Sequence, residues 1–135
     1  MRTLLFPLVL AVLLMGCRGA NPAAAATPEI SIEDASEALQ SGAVAVDANS
    51  ASTREKHGTV PGAIMLTSSS KYELVQLPED KSKDLIFYCS STWCTASDKA
   101  AERASTNGYK NVHIMREGIK GWKEAGQATA EYPRS

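Results

Sequence analysis

The chain has 135 residues, with 14 basic and 15 acidic side chains and a formal net charge of −1. That length suits one domain with a modest core. The near balance of charge, without a basic run or an acidic tail, argues against nucleic acid as a partner.

Arg2 opens the chain, and residues 4–15 are apolar apart from Pro7. The stretch is shorter than the ~20 residues of a membrane-spanning helix and has the length of a signal-peptide core. It runs into Leu14-Met15-Gly16-Cys17, which resembles the bacterial lipobox, where cleavage falls before a cysteine that then carries lipid. An ordinary signal peptide with an incidental cysteine is the alternative. The register of core length, small residue and cysteine favours the lipobox. The expected organisation is a signal peptide over 1–16, lipidated Cys17 with a flexible, alanine-rich tether to residue 28, and a folded domain over 29–135. The protein is then expected in the cell envelope, anchored through Cys17 and facing the periplasm or the exterior. Arg18, in place of a retaining aspartate, favours the outer membrane. Loss of Arg2 with the signal leaves a net charge of about −2. Two thiols then remain, Cys89 and Cys94, in a compartment where disulfides form.

Residues 29–31 suggest a short first strand. Ser31, with Asp34 three residues later, starts a helix over 32–40 with Ala35, Ala38 and Leu39 on its apolar face, and Gly42 follows its end. Val44-Ala45-Val46-Asp47 reads as a buried strand. A short helix around 53–57 and the turn Gly58-Thr59-Val60-Pro61-Gly62 lead into a strand over 63–66. Residues 72–77 suggest a short amphipathic helix stopped by Pro78. Leu85-Ile86-Phe87-Tyr88 is the strongest strand signal, with Cys89 at its carboxyl end. A helix over 95–107, capped by Thr95 with Asp98, carries Ala96, Ala100 and Ala104 on one face. A last strand over 111–115 and a last helix over 118–126, holding Trp122, complete the chain.

Strands alternating with helices predict an α/β domain, a small parallel sheet with helices on both faces. Ligands of such sheets bind beyond the carboxyl ends of the strands, where Cys89 stands. A cysteine at a strand end, followed by a tight loop and a helix start, is placed to be reactive. Backbone N–H groups and the positive helix end favour its thiolate. The small polar residues Ser90, Ser91 and Thr92 allow the loop to curl into an anion cradle, which suits a persulfide anion on Cys89.

Several motifs in order carry a resemblance. Val46-Asp47 matches the end of a first-strand motif. "GTVPGAI" (58–64) is similar to a GHIPGAI turn, "LPEDKSKDLIFYC" to the approach to a catalytic cysteine, and "GYKNVHIMREGIKGWKEAG" (108–126) to a closing signature. Together they resemble the rhodanese family over most of 29–126. The resemblance implies the rhodanese-like three-layer fold and the carriage of sulfane sulfur as a persulfide. It makes Cys89 the nucleophile, with Ser90, Ser91, Thr92, Trp93 and Cys94 as its cradle. The partners implied are a small sulfur donor and a thiol acceptor; no cofactor is expected.

The loop keeps the family's length but lacks the arginines of the common Cys-Arg-x-Gly-x-Arg pattern. Asn49 and Thr59 likewise replace an arginine and a histidine. Neutral hydroxyls replace arginine–oxyanion contacts poorly, which argues against a dianion such as thiosulfate. The related dual-specificity phosphatases have a loop one residue longer with an arginine, and both features fail here.

Cys94, in the position of a loop arginine, has three readings: a resolving thiol, half of a permanent disulfide, or a small residue packed at the helix start. Trp93 either walls a pocket, contacts a protein partner at the loop rim, or packs as a lid on a neighbouring loop. His113 reads as structural and His57 as a residue near the rim; with only two cysteines beside them, a metal site is set aside. Asp47 reads as a hydrogen-bonding residue that ties loops together. Three functions follow: a sulfurtransferase or persulfide carrier, a non-catalytic module that binds a partner, and a Cys89/Cys94 dithiol redox protein.

Overall fold

The computed structural model describes residues 25–134. The signal segment, Cys17 and the tether up to residue 24 lie outside the described residues. Helix α1 (Ile32–Gln40) is capped as its sequence implies, with the Asp34 N–H donating to Ser31 Oγ. Then follow β1 (Val44–Asp47), α2 (Ala51–His57), β2 (Ile64–Met65), β3 (Asp84–Tyr88), α3 (Ala96–Thr106), β4 (Asn111–Ile114) and α4 (Gly118–Glu124). The strands are all parallel, in the order β2-β1-β3-β4. Asp47 lies level with both Met65 and Tyr88, so the carboxyl ends of three strands share one rim.

Strand β3 sits centrally because its side chains are apolar on both faces. Leu85 and Phe87 pack with α3, Tyr72 and Val46. Ile86 and Tyr88 pack with Ile32, Ala35, Ile119 and Trp122, from α1 and α4. All four are at most 1 % exposed. Each such side chain contributes ~1.5–3 kcal/mol on burial, more than any local propensity term along the strand.

Four expectations are corrected. The strand over 29–31 reduces to a single bridge between Glu29 and Ile114, with Ile114 N–H donating to the Pro28 carbonyl and Ile30 N–H to that of Ile114. The helix over 72–77 is one 3₁₀ turn, Leu74–Gln76. Leu77 is extended (φ −88°, ψ 160°), as a residue before proline prefers. The Gln76 side chain is pinned to Thr67 instead of continuing a helix. Thr95 precedes α3 but its side chain caps nothing. Asp98 turns away to a bidentate pair with Arg116 at 2.8 Å, and those hydrogen bonds hold its carboxyl below the ordinary value. The buried face of α3 is formed by Ser97, Ala100, Ala101 and Ala104, while Ala96 is only partly buried. Beyond α4 the chain returns to pair Ala130 with Thr59, an antiparallel bridge that no periodicity announced.

Candidate active site at the carboxyl ends of β1 and β3

The pleat of β3 sends Tyr88 towards α1 and α4 and the next residue, Cys89, to the side of α3. Cys89 is 2 % exposed. Its Sγ lies 3.4 Å from the buried Ser97 Oγ, on the first turn of α3. Ser90, Ser91, Thr92, Trp93 and Cys94 form the expected loop, closed by a hydrogen bond from Cys94 N–H to the Ser91 carbonyl at 3.0 Å. The amides of Ser90, Ser91, Thr92 and Trp93 have no backbone acceptor among the described residues.

Cys94 is bonded to Cys89 as a disulfide, with a Cα–Cα distance of 6.2 Å. The reading of Cys94 as a small packed residue at the helix start is therefore replaced: its sulfur reaches across the loop. In the bonded form Ser97 is the donor to Cys89 Sγ. The Cys94 carbonyl oxygen, 3.2 Å from the same sulfur, is placed to accept the thiol proton once the disulfide opens.

The loop is held from behind by α4. Ile119 N–H donates to the Cys89 carbonyl at 2.9 Å and Lys120 N–H to that of Ser90 at 3.1 Å. This close approach needs Gly118, whose φ is +63°. A Cβ there would lie 2.5 Å from the Cys89 oxygen and 2.7 Å from the Ser90 carbonyl carbon.

A buried polar network supports the same rim. Asp47 is fully buried, and its carboxylate accepts from Tyr88 Oη (2.7 Å), Asn49 N–H (2.7 Å) and Arg54 Nε (3.2 Å). Arg54, also buried, donates to the carbonyls of Asp47 and Leu66. Tyr88 Oη accepts from Val60 N–H at 3.0 Å, which ties in the turn over 58–62. Burial, reinforced by the Asp47 charge, pushes the Tyr88 hydroxyl far above its ordinary value, so it stays a donor. The expectation that Asp47 ties loops together describes this geometry. Asn49, beside it, is buried, and its side-chain nitrogen has no partner among the described residues.

Trp93 is 91 % exposed, so it is not a lid packed on a neighbouring loop. Trp122 is core, with Nε1 donating to the Ala128 carbonyl. His113 is half-buried within β4. His57 ends α2, where burial and then the charges of Lys120, Lys56 and Lys123 lower its pKa. His57 lines a groove of about 670 Å³ between α2 and the C-terminal tail, and no residue of the cysteine loop lines it. Ser97, Gly118 and Arg54 did not stand out in the sequence. A polar residue on the small-residue face of α3 was the available signal for Ser97.

The described residues thus form a parallel α/β domain with a cysteine loop at the end of a central strand. Comparison makes the assignment: the family description "Rhodanese-like domain" matches residues 31–125, and the chain belongs to that family. Among solved structures, a protein from Bacillus halodurans is 24 % identical (TM-score 0.66), over 78 % of this chain and 77 % of that one. A rhodanese-related protein from Thermoplasma volcanium is 22 % identical (TM-score 0.61), over 78 % and 99 %. A thiosulfate sulfurtransferase from Pseudomonas aeruginosa is 25 % identical (TM-score 0.61), over 81 % of this chain and 22 % of that one. No curated protein matches the chain.

Proposed function

We propose that the chain is a rhodanese-like sulfurtransferase in which reduced Cys89 takes up sulfane sulfur as a persulfide. One observation carries the reading: Cys89 is a buried cysteine at the end of the central strand, followed by a loop whose amides over 90–93 have no backbone acceptor among the described residues, and its sulfur lies 3.4 Å from the Ser97 hydroxyl. Burial alone opposes a thiolate, while amide and hydroxyl donors favour it. The loop residues 90–94 carry no arginine or lysine, so a small persulfide is favoured over a dianionic donor such as thiosulfate.

Treating the reduced Cys94→Ser variant, which has no second thiol in the loop, with a persulfide donor is expected to add the mass of one sulfur atom to the peptide holding Cys89. Cys89→Ser is expected to abolish the adduct while melting like the reduced parent. A folded, reduced Cys94→Ser protein that never gains the adduct rules the reading out. Exposed Trp93, beside Cys94, favours a second reading in which the loop rim receives a protein partner.

The same proposal places the protein on a membrane through a lipid on Cys17. Cys17→Ala is expected to move the protein from the membrane to the soluble fraction on cell fractionation. A variant that stays with the membrane defeats the lipid anchor and leaves the sulfur chemistry untouched.

A further inference from the structure

We infer that Cys94 discharges the Cys89 persulfide inside the molecule, so that the chain is a sulfane-sulfur reductase that releases hydrogen sulfide. The inference rests on the persulfide reading above and goes a step beyond it. A carrier must hold its sulfur until an acceptor arrives. Here a second thiol stands within bonding reach of the inner sulfur: the Cα atoms are 6.2 Å apart and the two Sγ atoms are joined. That separation lies within the ~4.4–6.8 Å range of disulfides, so this loop backbone can hold the two sulfurs in bonding reach.

The step balances. The Cys94 thiolate attacks Cys89 Sγ, the S–S bond of the persulfide breaks, and its outer sulfur leaves as hydrosulfide with the electron pair. One proton converts it to hydrogen sulfide. The products are one hydrogen sulfide and the Cys89–Cys94 disulfide; two electrons have passed from the two thiols to the sulfane sulfur. Because the attack is intramolecular, Cys94 competes at an effective molarity far above any free thiol, on the order of 10⁵ M in well-oriented cases. Transfer to an external acceptor is thereby bypassed whenever Cys94 is reduced.

Regeneration needs a dithiol reductant, and the structure orients its entry. Cys89 is buried, whereas Cys94 is half-exposed beside the fully solvated Trp93. The first thiolate of the reductant attacks Cys94 Sγ, giving a mixed disulfide there and the Cys89 thiolate as leaving group. Ser97 Oγ, 3.4 Å from that sulfur, donates to the departing thiolate. The reductant's second thiol then displaces Cys94, leaving a free dithiol and an oxidised reductant.

The test is a single turnover. Reduced protein, freed of reductant, is mixed with a limiting amount of glutathione persulfide. Sulfide is measured by bromobimane trapping, and the protein by intact mass and non-reducing peptide mapping. The wild type is expected to release sulfide equal to the sulfur taken up and to end two hydrogens lighter, with peptides 89 and 94 linked. Cys94→Ser, and separately Cys94→Ala, are expected to accumulate the persulfide on Cys89 and release no sulfide. A wild type that retains the added sulfur without releasing sulfide overturns the discharge and leaves the carrier reading standing. Absence of adduct in the Cys94 variants, with their folded melting transition intact, overturns the persulfide reading itself. The wild-type measurement needs no variant, so a Cys94 variant that fails to fold does not remove the test.

Discussion

Asp47→Ala is expected to cost about 3–5 kcal/mol of unfolding free energy, the usual effect of removing one partner from a buried ion pair. Asp47 is fully buried and Arg54 is 6 % exposed. Removing the carboxylate strands the guanidinium with two carbonyls, those of Asp47 and Leu66, and no counter-charge. Two further donors, Tyr88 Oη and Asn49 N–H, lose their acceptor at the same time. Each unmet buried donor costs ~1–3 kcal/mol by itself, so the effect exceeds that of an exposed pair, at ~0–1 kcal/mol. The comparison inside this molecule is Arg116 with Glu29, whose carboxylate side chain is 60 % exposed. Urea unfolding of Asp47→Ala and Glu29→Ala makes the contrast measurable, with the second expected to fall within about 1 kcal/mol of the parent. A loss below about 1 kcal/mol for Asp47→Ala is incompatible with the network as described. Tyr88 precedes Cys89 in the chain, so the same variant is also expected to change the alkylation rate of the reduced Cys89.

Gly118→Ala is expected to cost roughly 2 kcal/mol or more and to remove persulfide uptake, because two penalties fall on one residue. A left-handed alanine costs ~1–2 kcal/mol by itself. The new methyl would lie 2.5 Å from the Cys89 oxygen and 2.7 Å from the Ser90 carbonyl carbon. Both are backbone atoms, so no flexible side chain can absorb the overlap. Either α4 withdraws or the cysteine loop moves, and both break the bonds from Ile119 and Lys120 to that loop. Gly126→Ala is the control. Its φ is +78°, yet a Cβ meets nothing within 4 Å, so it bears the backbone penalty alone. Gly126→Ala is expected to lose about 1–2 kcal/mol and to retain uptake. Equal uptake in the two variants would show that α4 does not position the loop.

The two experiments also separate support from chemistry. The Asp47 network lies on the α1 and α4 side of the sheet, whereas Cys89 and Ser97 lie on the α3 side. Loss of stability through the first and loss of loop geometry through the second are therefore distinct signatures, one read in urea and the other in sulfur uptake.

Much of this protein was legible along the chain. Apolar runs of four residues separated by amphipathic segments are enough to determine a parallel α/β sheet, since only helices on both faces bury such strands. The strand over 85–88, the loop length after Cys89 and the ordered motifs pointed to the candidate site because they depend on local patterns. Other features depended on residues distant in sequence. Whether 29–31 pairs as a strand was decided by Ile114, and whether Asp98 caps its own helix was decided by Arg116, a stronger partner than Thr95. Gly118 shows its importance only once α4 lies against the carbonyls of Cys89 and Ser90. The fate of Cys94 turned on a single distance across the curled loop, 6.2 Å between Cα atoms. Sequence spacing bounds how far apart two residues of a loop can be; only the packing of that loop between α3 and α4 decides how near they come.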